Sequence, residues 1–275
     1  MDVFAAFIAP ALAGVFVGVM SGLLGVGGGT IMVPIFRLAF GMSPLASTAT
    51  SLFAIIPTSI SGVVAHARAK TCVPKLGLAL GVGGAVMSPL GVWLASVSPG
   101  WLVICVAAIV IGFSAFKMFK KAVKCAPMPR AGAASAHSAN PKPVPDQPHL
   151  SRKQYLQGAC IGLIAGLASG YVGVGGGFIM VPLMLAVLDI PMSLASGTSL
   201  IAIMILAIPG VIEQGLLGNI DYLAGVAIVV GSIPGALVGA RLVRVVPERQ
   251  LRFIFGGFLL VAAVMLMLNE FGILG

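Results

Sequence analysis

Two glycine strings are the places where this otherwise apolar chain could do chemistry. Gly25-Val-Gly-Gly-Gly29 and Gly173-Val-Gly-Gly-Gly177 each interrupt a charge-free stretch, and each precedes a further apolar run. If each string ends one helix and starts another, the first N–H groups of the second helix lack intrahelical acceptors and favour an anion. Without Cβ atoms, a small oxyanion can reach that backbone closely. The candidate ligands are therefore Gly25, Gly27, Gly28 and Gly29 with Gly173, Gly175, Gly176 and Gly177. Hydroxyls form a second candidate set. Thr50 and Ser51, and likewise Thr198 and Ser199, fall in the first turns of a later segment, with Thr48 and Ser196 beside them. They can donate to an anion, although Ser and Thr in apolar helices commonly bond their own i−4 carbonyl.

Rival chemistries fail on the neighbouring residues. A phosphate-binding P-loop needs Gly-Lys-Ser/Thr, but Thr30 and Phe178 follow the two strings, and a dinucleotide fingerprint needs a strand before it. The competing structural reading is close helix packing through small residues, which suits Gly22 and Gly170 best. All seven carboxylates, Asp2, Asp146, Asp189, Glu213, Asp221, Glu248 and Glu270, fall at segment ends or in loops, so an ordinary proton relay has no intramembrane acid. No Ser-His-Asp, paired-carboxylate or metal-ligand cluster is visible, and no enzyme activity, metal or cofactor is expected. Cys72, Cys105, Cys125 and Cys160 lack CxxC spacing and indicate packing residues or thiols. Arg37 either snorkels to the surface or attracts an anion, and His66, at a segment end among basic residues, is taken as topological.

The elements that must position these residues follow from composition. Of 275 residues only 23 are Lys, Arg, Asp or Glu, 59% are hydrophobic, and mean hydropathy is +1.12. Ordinary soluble domains carry roughly 25% charged residues, so the solvent here is lipid. Abundant Gly and few aromatics favour packed helices over a β-barrel. Ten apolar segments are expected, near 4–21, 30–41, 45–64, 74–96, 101–119, 155–169, 178–188, 193–212, 222–244 and 250–269. The second and seventh are too short to span at about 1.5 Å per residue. Met1-Asp2 lacks a basic n-region, and no cleavable signal peptide is expected.

The chain repeats itself. At an offset of 148 residues, Ser21–Phe36 and Ser169–Met184 agree at 11 of 16 positions, and Thr50-Ser51-Leu52 falls on Thr198-Ser199-Leu200 without a gap. This divides the chain into a first repeat at 1–119, a Pro/Ala-rich tether at 120–154 and a second repeat at 155–275. Charge placement sets their relative direction. The positive-inside rule puts the tether in the cytoplasm, and the basic loop swaps from the third-to-fourth connection of the first half to the fourth-to-fifth of the second. The expected fold is an all-α integral membrane protein of two inverted repeats of five segments, the first two broken or re-entrant at GVGGG, with both termini outside. Fifteen of sixteen basic residues then lie inside, Arg37 excepted, so the net charge of +9 needs no nucleic-acid partner. The expected partners are the bilayer and a small anion.

The duplicated Ser-Gly-x-x-Gly-Val-Gly-Gly-Gly-x-Ile-Met-Val-Pro element, with Thr-Ser-Leu downstream, resembles the TauE/SafE sulfite exporter family over nearly the whole chain outside the tether. The resemblance implies a multi-pass bacterial inner-membrane transporter, an exporter of sulfite or a related sulfur oxyanion or organosulfonate. The family motif falls on Gly25, Gly27, Gly28, Gly29 and Pro34, and on Gly173, Gly175, Gly176, Gly177 and Pro182. Two alternatives stand beside it: a transporter of a different solute, and a nontransporting membrane scaffold or sensor.

Overall fold

The computed structural model describes residues 3–124, 151–172, 175–243 and 245–270. Gly173 and most of the tether lie outside these residues. Among the described residues every element is helical: α1 (Val3–Leu24), α2 (Gly29–Leu38), α3 (Pro44–Arg68), α4 (Pro74–Val97), α5 (Gly100–Lys124), α6 (Arg152–Val172), α7 (Gly177–Leu183), α8 (Met192–Leu216), α9 (Tyr222–Leu242) and α10 (Glu248–Glu270). A π-helical turn, Met184–Leu188, continues α7. Six of these helices are long and apolar enough to cross a bilayer, so the chain is an all-α integral membrane protein.

Local signals explain the boundaries. Pro44 and Pro74 open α3 and α4 at the position where a missing N–H costs nothing. Ser43 caps α3 by accepting from Ala46 N–H, and Asp221 caps α9 by accepting from Ala224 N–H at 3.1 Å, each worth about 1 kcal/mol. Between α1 and α2 the chain turns through glycines, and α2 runs back to the start of α3. There Met42 N–H donates to Phe36 O at 3.1 Å.

The two halves interlock helix by helix. The glycines of α1 seat against the backbone of α9: Gly14 on Ile228, Gly18 on Ser232 and Gly22 on Ala236. In the other half, Gly162, Gly166 and Gly170 of α6 seat in the same way on Leu80, Gly84 and Ser88 of α4, each partner displaced by the repeat offset. A Cβ at Gly22 or Gly170 would collide with a carbonyl oxygen of the neighbouring helix, so the packing role expected for these two glycines is present. Numbers rise together along both pairs, which run parallel. Across the centre the direction reverses: Gly62 of α3 meets Leu200 of α8, and Gly210 of α8 meets Leu52 of α3.

Candidate functional site

The site is built where α1 stops. Gly25 N–H closes the last turn on Ser21 O at 2.8 Å, and the chain then leaves the helix. Gly28 (φ 83°) is the N-cap of α2, and Gly176 (φ 70°) is the N-cap of α7. Both are left-handed, a conformation that costs a residue with a side chain about 1–2 kcal/mol. Ile31 and Met32 N–H both donate to Gly28 O, and Ile179 and Met180 N–H both donate to Gly176 O. Among the described residues none accepts from Gly29 N–H or Thr30 N–H at the start of α2.

The two interruptions meet. The open face of Gly177 points at Gly25 O and Val26 Cα, both 2.7 Å from where its Cβ would stand. Gly25 faces Ser196 and Ser199, and Ser199 Oγ donates to Gly25 O at 2.6 Å, with Ser196 O as an alternative acceptor at 2.8 Å. Gly27 and Gly175 flank a matched pair of isoleucines. Ile203 lies against Gly27 and Ile55 against Gly175, and both isoleucines are fully buried. The space between the strings is therefore filled by these two side chains in this conformation.

Of the sequence candidates, the structure brings Gly25, Gly27, Gly175, Gly177 and Ser199 into one neighbourhood, with Gly28, Gly29 and Gly176 one step away. Gly173 lies outside the described residues. Thr50 and Thr198 serve as acceptors at the seam between the halves. Thr50 Oγ1 accepts from Asp221 N–H at 3.0 Å, and Thr198 Oγ1 accepts from Val73 N–H at 3.0 Å. Each ties one half to a loop of the other, and the two bonds match under the repeat offset. Ser51 Oγ donates to Thr48 O at 2.8 Å. Arg37 is half-buried in the last turn of α2, where a cation suits the helix dipole.

Residues that the sequence reading passed over also crowd this region. Ser21 and Ser169, first in the duplicated motif, and Thr30 bury their hydroxyls without a hydrogen-bond partner among the described residues. The Cβ atoms of Ser21 and Ser169 stand 3.6 and 3.2 Å from where Gly28 and Gly176 would carry a side chain. A buried unpaired hydroxyl costs about 1–3 kcal/mol. Their position in both copies of the motif was the available signal. His66 is fully buried rather than simply a marker of the basic end.

Helices broken at glycine inside an apolar bundle, facing each other from two related halves, are the architecture of a membrane transporter. The family model described as sulfite exporter TauE/SafE matches residues 10–266, and the chain belongs to that family. It is similar to the probable membrane transporter protein YdhB of Bacillus subtilis, at 29% identity over 86% of this chain and 89% of the relative. Probable membrane transporter protein YunE of the same organism is 26% identical over 86% of this chain and 89% of its own. Probable membrane transporter protein MJ0441 of Methanocaldococcus jannaschii is 25% identical over 94% of each. No solved structure matches significantly.

Proposed function

We propose that this transporter carries sulfite or a related sulfur oxyanion or organosulfonate, as an exporter in the bacterial inner membrane, by alternating access around the joined glycine strings. The observation that carries the reading is their contact, Gly177 against Gly25 and Val26, beside the N–H groups of Gly29 and Thr30, which find no acceptor among the described residues. Those donors suit a small anion that sheds its water, since helix N-termini present both N–H groups and positive potential. The ligand set is Gly25, Gly27, Gly28, Gly29, Gly175, Gly176 and Gly177 with Gly173, Ser51 and Ser199. Thr50 and Thr198 hold the frame. Ile55 and Ile203 must part for an anion to enter, which makes the present conformation the closed one.

The reading includes an inverted repeat with the tether in the cytoplasm and both termini outside. The antiparallel run of α3 and α8, equivalent helices of the two halves, supports it. So does the gathering of Arg68, Lys70, Lys75, Arg152, Lys153, Arg241, Arg249 and Arg252 in connections that the repeat puts on one face. The purified chain in liposomes is expected to exchange internal for external labelled sulfite. If sulfite, thiosulfate, taurine and sulfoacetate all failed to move, the substrate assignment would fall.

A further inference from the structure

His66 sits at the end of α3 with no exposed surface and both ring nitrogens occupied. Nε2 lies 2.9 Å from Gly22 O, and Nδ1 lies 2.8 Å from Thr71 Oγ1. A carbonyl can only accept, so Nε2 carries a hydrogen and the neutral ring accepts at Nδ1 from the Thr71 hydroxyl. Thr71 has a second acceptor within reach, His66 O at 3.3 Å. If the ring gains a proton, the hydroxyl turns its hydrogen to that carbonyl and accepts from Nδ1–H instead. The pocket thus offers hydrogen-bond partners to either protonation state, but no counter-charge among the described residues.

The second half lacks this device at the equivalent place. There Gln214 stands for His66 and Asn219 for Thr71, and Asn219 Nδ2 donates to Gln214 Oε1 at 2.8 Å. The repeat therefore keeps a polar pair in both halves but makes it titratable in one. Room for the ring comes from Gly197 of α8, whose Cβ would lie 2.9 Å from His66 Cγ, while Ala49 holds the matching position in the first half. One imidazole thus joins three parts: α1 three residues before its break, the α3–α4 loop, and the first turns of α8.

We propose that His66 is a proton-binding site that couples the transport cycle to protons by opening this end of the bundle when it is charged. The proposal uses the transporter assignment and does not depend on the anion site. The charges around the ring supply the direction. Neither α1 nor the segment 192–212 of α8 carries an ionisable residue within the described chain, so nothing on them offers a counter-charge. On the helices and loop beside it Arg68, Lys70, Lys75 and Arg241 are all exposed cations. The acids at this end are Asp189, which is exposed, and Glu248, which is held by Arg252 at 2.6 Å and by Met192 N–H at 3.2 Å. His66 forms no ion pair among the described residues. A charged imidazole kept from water without a counter-ion is unfavourable, and opening this end hydrates it.

The test uses Cys72, which is buried in the loop beside Thr71 and becomes reachable when this end opens. Burial pushes its thiol up, so its own reactivity depends on pH. Comparing variants at the same pH cancels that dependence. In the full chain with Cys105, Cys125 and Cys160 replaced by serine, maleimide labelling of Cys72 is followed with His66 intact and as His66→Gln, the residue the other half uses. Between about pH 8 and about pH 5.5 the ratio of the His66 rate to the His66→Gln rate should rise by about 3-fold or more. A ratio that stays flat, or falls on acidification, overturns the proposal. A second measurement covers a His66→Gln chain that does not fold: ring 15N shifts of the protein with His137 and His149 replaced by glutamine. These should show His66 moving from the Nε2–H tautomer to the doubly protonated form across the same range. A ring that remains neutral throughout overturns the proposal.

Discussion

Replacing Gly28 with alanine tests whether this N-cap serves the proposed anion site or only a turn. Gly28 has φ 83°, and a Cβ there would stand 2.9 Å from Val17 Cγ1 and 3.3 Å from Met32 Cε. Gly41 has φ 63°, but a Cβ there meets nothing within 4 Å among the described residues. Both substitutions carry the left-handed strain of about 1–2 kcal/mol. Gly28→Ala adds a packing term of roughly 1 kcal/mol, because Val17 and Met32 yield only at their side-chain ends. Melting of the purified variants in detergent should therefore rank wild type above Gly41→Ala above Gly28→Ala. Sulfite exchange per folded molecule should be unchanged in Gly41→Ala and at least about tenfold lower in Gly28→Ala, the loss expected when roughly 1.4 kcal/mol of anion binding is removed. If both variants exchange sulfite at the wild-type rate, the N-cap of α2 is a structural turn and the ligand argument fails.

Thr50→Val and Thr198→Val each leave an inter-half N–H without its acceptor, so each should lose about 1–3 kcal/mol of stability while the KM for sulfite stays put. A raised KM with unchanged melting would return these hydroxyls to the ligand set. Ile55→Ala and Ile203→Ala empty the space between the strings. They should cost about 2–5 kcal/mol on melting and increase sulfite flux in the absence of exchange, and tight, unaltered flux would show that the isoleucines are not the barrier. Deleting residues 126–148 should leave exchange intact, as expected of a site that lies in the repeats. Loss of exchange from a protein that still folds would assign the working part to the tether.

The repeat and its breaks were legible because glycine strings contrast sharply with an apolar background and recur at a fixed offset. The ten segments match the ten helices to within a few residues for the same reason. The partners of the helices were not legible. Gly14, Gly18 and Gly22 announce a flat face on α1, but many helices here carry small residues, and only the folded bundle shows that α9 rather than α4 covers that face. The acceptor role of Thr50 and Thr198 at the seam was not legible, because their loop partners, Asp221 and Val73, lie far away in sequence. Ile55 and Ile203 gave no signal beyond their equal spacing, since an isoleucine in an apolar helix is unremarked. His66 was masked by its basic neighbours, and its burial depends on Gly197 from the other half.

Selenite has the shape and charge of sulfite and scatters anomalously, so a crystal of this protein grown with it gives the most direct measurement. An anomalous peak is expected within hydrogen-bonding distance of the N–H groups of Gly29 and Thr30, with Ile55 and Ile203 displaced from their present contact with the glycines. A fully occupied peak elsewhere in the bundle, with the strings still closed over the two isoleucines, would contradict it.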